Sequence, residues 1–328
     1  SPLPALSPSC PPYSFRPGCN DKPIDAMRNI RKKCELEEKF PLLAIENGCI
    51  VSKDADITVA FSLELPELFT VTSPEYAAMH AAWHKAVKVL PVYSILHKQD
   101  WFIRESYRPE LEKDDLSFLD RSYERHFNER PFLHHSVYLC LTKTTKQRMA
   151  QRSDFSTLCR GTLLPKEVRE REAVLKFLEA VDQFERIIND SGCMRLRRLP
   201  ADEIAGTEDK RGLLDRYLSL RDDAAGTLED LRLGADEVRI GDQILCLHTL
   251  SDTDDLPAAV ATDGRYERLS TDRSDCRLSF AAPVGLMLPC NHIYNQYLFI
   301  DDSEENLKRF EKQARNMLSL ARFSRSNQ

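Results

Sequence analysis

Leu42-Leu-Ala-Ile-Glu-Asn-Gly-Cys-Ile-Val51 decides what kind of fold this chain can adopt. Two short apolar runs, Leu42–Glu46 and Cys49–Val51, flank Asn47-Gly48. That dipeptide readily takes the positive φ angles of a type I′ turn, so the stretch reads as an antiparallel hairpin. Ile57-Thr-Val-Ala-Phe-Ser-Leu-Glu-Leu65 comes next and alternates apolar with polar side chains, the period of a half-buried strand.

Helices then interleave with strands. Ser73-Pro74-Glu75 reads as a helix start, with Ser73 as cap and Pro in the first turn. Tyr76, Met79, His80, Trp83, Val87 and Leu90 follow at helical spacing. A strand is expected over 92–103, a helix over 114–129 and a strand over 134–142. Pro165 is read as opening a long helix with the stripe Val174, Leu178, Val181, Phe184 and Ile188, ended by Gly192. Another helix is expected over 201–220. A second hairpin is expected where Val238–Ile240 and Ile244–Leu247 bracket Gly241-Asp242. Apolar strands are expected over 277–288 and 293–300. Asp302 and Glu305 then resemble a capping box, opening a last helix with the stripe Leu307, Phe310, Ala314, Met317 and Ala321 and the basic residues Arg315, Arg322 and Arg325. Hairpins mixed with strand–helix units predict an α+β fold: a mixed, largely antiparallel sheet with interleaved and flanking helices. Only 11 glycines occur and none form G-x-G-x-x-G, which argues against a doubly wound dinucleotide fold.

The chain has 328 residues, 42% hydrophobic and 30% charged, with a formal net charge of -6. That is an ordinary globular balance with no global pull towards nucleic acid. Residues 1–26 gather Pro2, Pro4, Pro8, Pro11, Pro12, Pro17 and Pro23 and read as a Pro-rich disordered leader or upstream extension. Residues 27–328 read as the folded region, either one unit or two subdomains split near 190–235. The longest apolar stretch, Phe280–Leu288, contains Pro283 and Gly285 and falls short of the roughly 18 residues that span a bilayer. The 10 cysteines include no C-x-x-C. Cys140, Cys246 and Cys276 sit within apolar runs and read as small buried thiols of a reducing compartment.

No G-x-x-x-x-G-K-[ST] occurs, and no glycine precedes a lysine, so the glycine amides and lysine of a phosphate cradle are missing. His80 and His84 have the spacing of a zinc protease pair, but Ala81 stands where its glutamate base belongs. His134 and His135 are adjacent on an expected strand and so point to opposite faces. Asp252, Asp254 and Asp255 begin like a calcium loop, with Pro257 where the glycine is needed. These readings leave no catalytic, metal-binding or cofactor-binding residue to name. Arg195, Arg197 and Arg198 are candidate phosphate contacts, though solvent-facing charge explains them as well. Asn291, His292, Tyr294, Asn295, Gln296 and Tyr297 form the candidate partner surface, since amphipathic Tyr and Asn side chains suit an interface. Internal hydrogen bonding in the sheet explains them equally.

Some segments are not generic helix or strand patterns. They are Phe40–Asp54, Phe127–Phe132, Phe184–Gly192, Leu269–Leu286 and Cys290-Asn-His-Ile-Tyr-Asn-Gln-Tyr-Leu-Phe-Ile-Asp-Asp302. Through them the chain, from about Met27 to Gln328, resembles the N-terminal region of TraG-type conjugative transposon ATPases, in the type IV secretion superfamily. The resemblance implies a hexameric or dimeric conjugation ATPase, cytoplasmic and peripheral to the inner membrane. Its P-loop, and hence ATP and magnesium, belong to a motor domain C-terminal to this region. It implies as partners the inner-membrane components of the conjugation channel and other ATPase subunits. Direct nucleic-acid contact is not expected. The expected role is non-catalytic docking and assembly. The other classes are an enzyme with a dispersed Cys/His site and a nucleic-acid-binding adaptor.

Overall fold

The computed structural model describes residues 40–67, 71–107, 117–145, 171–219, 230–234, 237–241, 243–249, 264–267, 270–273, 275–278 and 288–326. The expected leader, the helix start at Pro165 and the acidic turn Asp252–Asp255 lie outside these residues.

The hairpin forms as expected. Strand β1 (Leu42–Glu46) pairs antiparallel with β2 (Cys49–Ser52). Asn47 at φ 52° and Gly48 at φ 71° make the turn. β2 pairs β3 (Ile57–Glu64), which pairs β5 (Phe132–Lys143). β5 pairs β4 (Ser94–Glu105), and β4 pairs β12 (His292–Ile300). β6 (Arg195–Arg198) joins the far half of β3. The main sheet therefore runs β1-β2-β3-β5-β4-β12 with β6 beside β3. Every pairing in it is antiparallel. Strands β7 (Leu231–Leu233), β8 (Val238–Ile240) and β9 (Gln243–Leu245) form a separate meander. β10 (Gly264–Arg265) and β11 (Arg277–Leu278) form a short ribbon. The fold is α+β.

The sheet is covered on both faces. On one, Val59, Phe61, Leu63, Leu96, Val137, Leu139 and Leu141 meet two helices. These are α1 (Ser73–Val87), through Trp83 and Ala86, and α3 (Arg171–Asp190), through Phe177, Val181, Phe184 and Ile188. Alternation along β3, β4 and β5 sends the intervening residues to the other face. There Ala60, Trp101 and Ile103 pack with Leu199, with Ile204 of α4 (Ala201–Ala205) and with Leu213 of α5 (Leu213–Ser219). Asn189 ties α3 to β6. Its Nδ2 donates to the Leu196 carbonyl at 3.0 Å and its Oδ1 accepts from the Leu196 amide at 2.7 Å, replacing a strand's two ladder bonds.

Three sequence expectations are corrected. The cap of α1 is Thr72 rather than Ser73, in a full capping box with Glu75. The helix expected over 201–220 is broken into α4 and α5, because Gly206 takes φ 92° and a bridge pairs it with Arg211. Cys246 is exposed rather than buried, and Cys290 is exposed as well. The six described cysteines are free. α2 (Phe118–Asn128) and α6 (Ser303–Ser326) complete the helices among the described residues. Asp302 caps α6, its Oδ1 accepting from the amides of Glu304 and Glu305. No described helix is long and apolar enough to cross a membrane.

Candidate functional site

Tyr76, Met79, His80 and Trp83 recur every three to four residues on α1, so they share one helix face. That face overhangs the sheet without filling the space down to its edge. The result is a groove of about 570 Å³, within the usual range for a binding site. Its floor is Leu63 and Leu96, with Lys98 beyond them, and Leu65, Pro66 and Met194 close one end. Its outer wall is β12, where Gln296 and Leu298 flank Tyr297. Most of the lining is apolar, and Lys98, His80 and Gln296 bring a few polar groups to it.

Farther along the same face lies a polar and aromatic cluster. Phe102 stacks between His135, with centroids 4.5 Å apart, and His292, at 4.6 Å. These three are directly cross-strand partners on β5, β4 and β12. His135 Nε2 donates to Asp100 Oδ1 at 3.0 Å, and Lys98 is ion-paired to the other oxygen. Burial, the largest single influence on Asp100, pushes its carboxyl up. The His135 hydrogen bond and the Lys98 charge outweigh it and hold the carboxyl below its ordinary value. His292 Nδ1 donates to the Cys290 carbonyl at 2.7 Å, leaving Nε2 buried with no hydrogen-bond partner.

The candidate partner residues share one strand but not one surface. Strand alternation puts His292, Tyr294 and Gln296 on the α1 face and Asn295 and Tyr297 on the other. Several are spent on internal contacts. Asn291 Oδ1 accepts from the Arg104 amide at 2.8 Å. Asn295 Oδ1 lies 2.8 Å from His97 Nε2. Tyr297 stacks on His97 at 4.1 Å. The sequence reading missed the groove's other wall and floor, Met79, Trp83, Leu63 and Met194. Their helical and strand periodicity marks them as apolar, and periodicity alone does not separate a filled core from an open trough.

Arg195 and Arg197 share one face of the sheet and Arg198 takes the other. Arg197 makes a bidentate pair with Glu203 at 3.0 and 2.8 Å. Arg198 turns to the opposite face, 2.6 Å from Asp182 and 5.6 Å over the Phe61 ring. Arg195 lies across from Glu64. The side chains of Arg322 and Arg325 lie outside the described set. His80 and His84 are both exposed. Among the described residues no three His, Cys, Asp or Glu side chains gather as a metal-ion set. Burial pushes the Cys140 thiol up to about 12, so it stays protonated at neutral pH and is a poor nucleophile.

Residues 29–81 match a family described as a domain of unknown function, B. Theta Gene description (DUF3875). The match spans β1 to β3 and α1 as far as Ala81, and so includes Leu63, Tyr76, Met79 and His80 of the groove. No curated protein matches the chain.

Proposed function

We propose that the chain is the non-catalytic N-terminal docking and assembly region of a TraG-type conjugation ATPase, and that the α1–β12 groove is its docking surface. The groove itself carries this reading: an apolar trough left open between α1 and β12, the last strand of the described sheet. A concave, mostly apolar cleft of this volume with a few polar groups on its lining suits a binding site. The segments behind the resemblance support it too. Phe40–Asp54 covers β1 and β2, Phe184–Gly192 carries Asn189, and Cys290–Asp302 covers β12, the outer wall of the groove.

In this reading the groove receives an apolar side-chain cluster from an inner-membrane component of the conjugation channel. The chain then reaches the membrane through that partner, and ATP and magnesium belong to the motor domain. A Cys/His enzyme draws no support from Cys140, whose thiol burial holds protonated. A nucleic-acid adaptor draws less support, because Arg197 and Arg198 are each paired with acids.

The test is deletion of residues 41–300 from the full-length ATPase. The expected result is loss of co-purification with the channel's inner-membrane components and loss of DNA transfer, with ATP hydrolysis by the motor retained. Intact channel association and transfer would contradict the reading.

A further inference from the structure

We propose that the partner segment received by the α1–β12 groove carries a carboxylate between apolar side chains, and that Lys98 and Gln296 bind this carboxylate on the groove floor. The inference rests on the docking reading above and gives the occupant its chemistry.

An apolar lining alone would accept any apolar surface, and the floor is what selects. Strand alternation turns Lys98 towards α1 together with Leu96 and Asp100. Its cross-strand partners are Leu139 of β5 and Gln296 of β12. Leu139 is fully buried and the Lys98 side chain is 19% exposed, so the ammonium stands at the bottom of the trough and not in bulk water. An ammonium carries three N–H donors. Among the described residues its one partner is Asp100, which also accepts from His135. Two donors are left over, with the Gln296 amide on the neighbouring strand at a cross-strand spacing of about 5 Å. A donor shielded from water favours an acceptor, and an ionised acceptor most of all.

The charges around the groove agree. Lys98 and His80 line it, and no Asp or Glu does among the described residues, in a chain with 52 acids against 46 lysines and arginines. Glu64 and Glu67 line a separate recess, which shares Leu65 and Pro66 with the closed end of the groove. An acidic side chain is therefore drawn to Lys98 and away from that end. Apolar surface lies on both sides of the Lys98–Gln296 pair. Leu96 and Leu298, themselves cross-strand partners, are two positions along the strands, and Leu63 and Met194 lie towards the closed end. A segment ordered apolar, anionic, apolar fits this arrangement. A basic segment would meet the Lys98 charge, and a wholly apolar one would leave its donors unpaired.

The experiment reads the fluorescence of Trp83, which lines the groove; the other tryptophan, Trp101, is fully buried in the core of the opposite face. The probes are octanoate, octan-1-ol and octylammonium, one tail with three heads. Octanoate is expected to saturate with a dissociation constant about tenfold below that of octanol, and octylammonium to bind weakest. In Lys98→Met, octanoate should bind no better than octanol. Gln296→Leu changes an exposed position, so it keeps the test open if Lys98→Met fails to fold, and it should reduce the preference for octanoate about threefold. Acetyl-leucyl-glutamyl-leucinamide should displace octanoate better than its glutaminyl twin does. Equal affinity for octanoate and octanol would overturn the inference and leave the groove an apolar docking surface. A preference that survives both substitutions would overturn it as well. A glutaminyl twin that competes equally would exclude an acidic protein segment as the occupant. Failure of every probe would overturn the inference and count against the groove itself, and the deletion experiment reads channel association independently of all four.

Discussion

Asp100 carries the clearest pH consequence of any single residue. Its carboxyl is buried yet held below its ordinary value by His135 and Lys98. A carboxyl depressed in the folded state adds stability above its unfolded value, about 3.9, and that gain is lost as pH falls through the folded value. Asp100→Asn is therefore expected to cost about 1–3 kcal/mol at neutral pH. It should also flatten the acid limb of a plot of unfolding midpoint against pH. A variant that loses stability below about pH 4 as steeply as wild type would show that Asp100 is not the group responsible. Asn189 works without charge. Removing its amide leaves both Leu196 backbone groups without the partners they have now. Asn189→Ala should cost about 1–3 kcal/mol in denaturant unfolding, more than an average surface truncation. Cys140 should resist alkylation in the native state while exposed Cys246 and Cys290 react, as site-resolved mass spectrometry would read.

At the scale of elements, strong local signals were legible and close backbone approaches were not. Asn47-Gly48 announced its turn, and the Val181, Phe184 and Ile188 stripe announced the buried face of α3, because both depend on nearby residues alone. Stripe spacing still passed over Phe177, which is fully buried. The break between α4 and α5 was missed for a different reason. Ala201–Leu220 holds only two glycines, and each costs a helix roughly 1 kcal/mol, which tertiary contacts can override. Here the two backbones meet. A Cβ on Gly212 would stand 2.3 Å from the Gly206 nitrogen, and one on Gly206 2.6 Å from the Gly212 nitrogen. Gly212→Ala should thus destabilise by about 1–3 kcal/mol by forcing the bridge apart. A neutral or stabilising result in thermal unfolding would mean that the segment relaxes into one helix. The cap of α1 was legible to within one residue, since Thr72 and Ser73 are both good caps. The capping box with Glu75 decides for Thr72.

At the scale of the whole molecule, the groove was the least legible feature. Its walls come from residues more than two hundred positions apart, Met79 on α1 and Leu298 on β12. Only the sheet order that sets β12 beside β4 brings them together. The candidate strand 291–297 was found because its composition is unusual. Its division between two faces followed only once its register was known. A docking role for the molecule also makes a negative prediction. Calorimetry of the chain with magnesium and ATP should show no saturable heat, and micromolar binding would move the account towards an enzymatic or regulatory role.

The most direct test places a charge in the groove. Met79→Glu, in the full-length protein, puts a carboxylate on the half-buried α1 wall without touching the buried core. The measurement is the frequency of conjugative DNA transfer, read beside the variant's thermal midpoint. The account predicts at least about a tenfold fall in transfer with folding and ATP hydrolysis unchanged, the equivalent of about 1.4 kcal/mol of lost docking. Wild-type transfer by a fully folded Met79→Glu protein would contradict it, and the groove would then not be the docking surface.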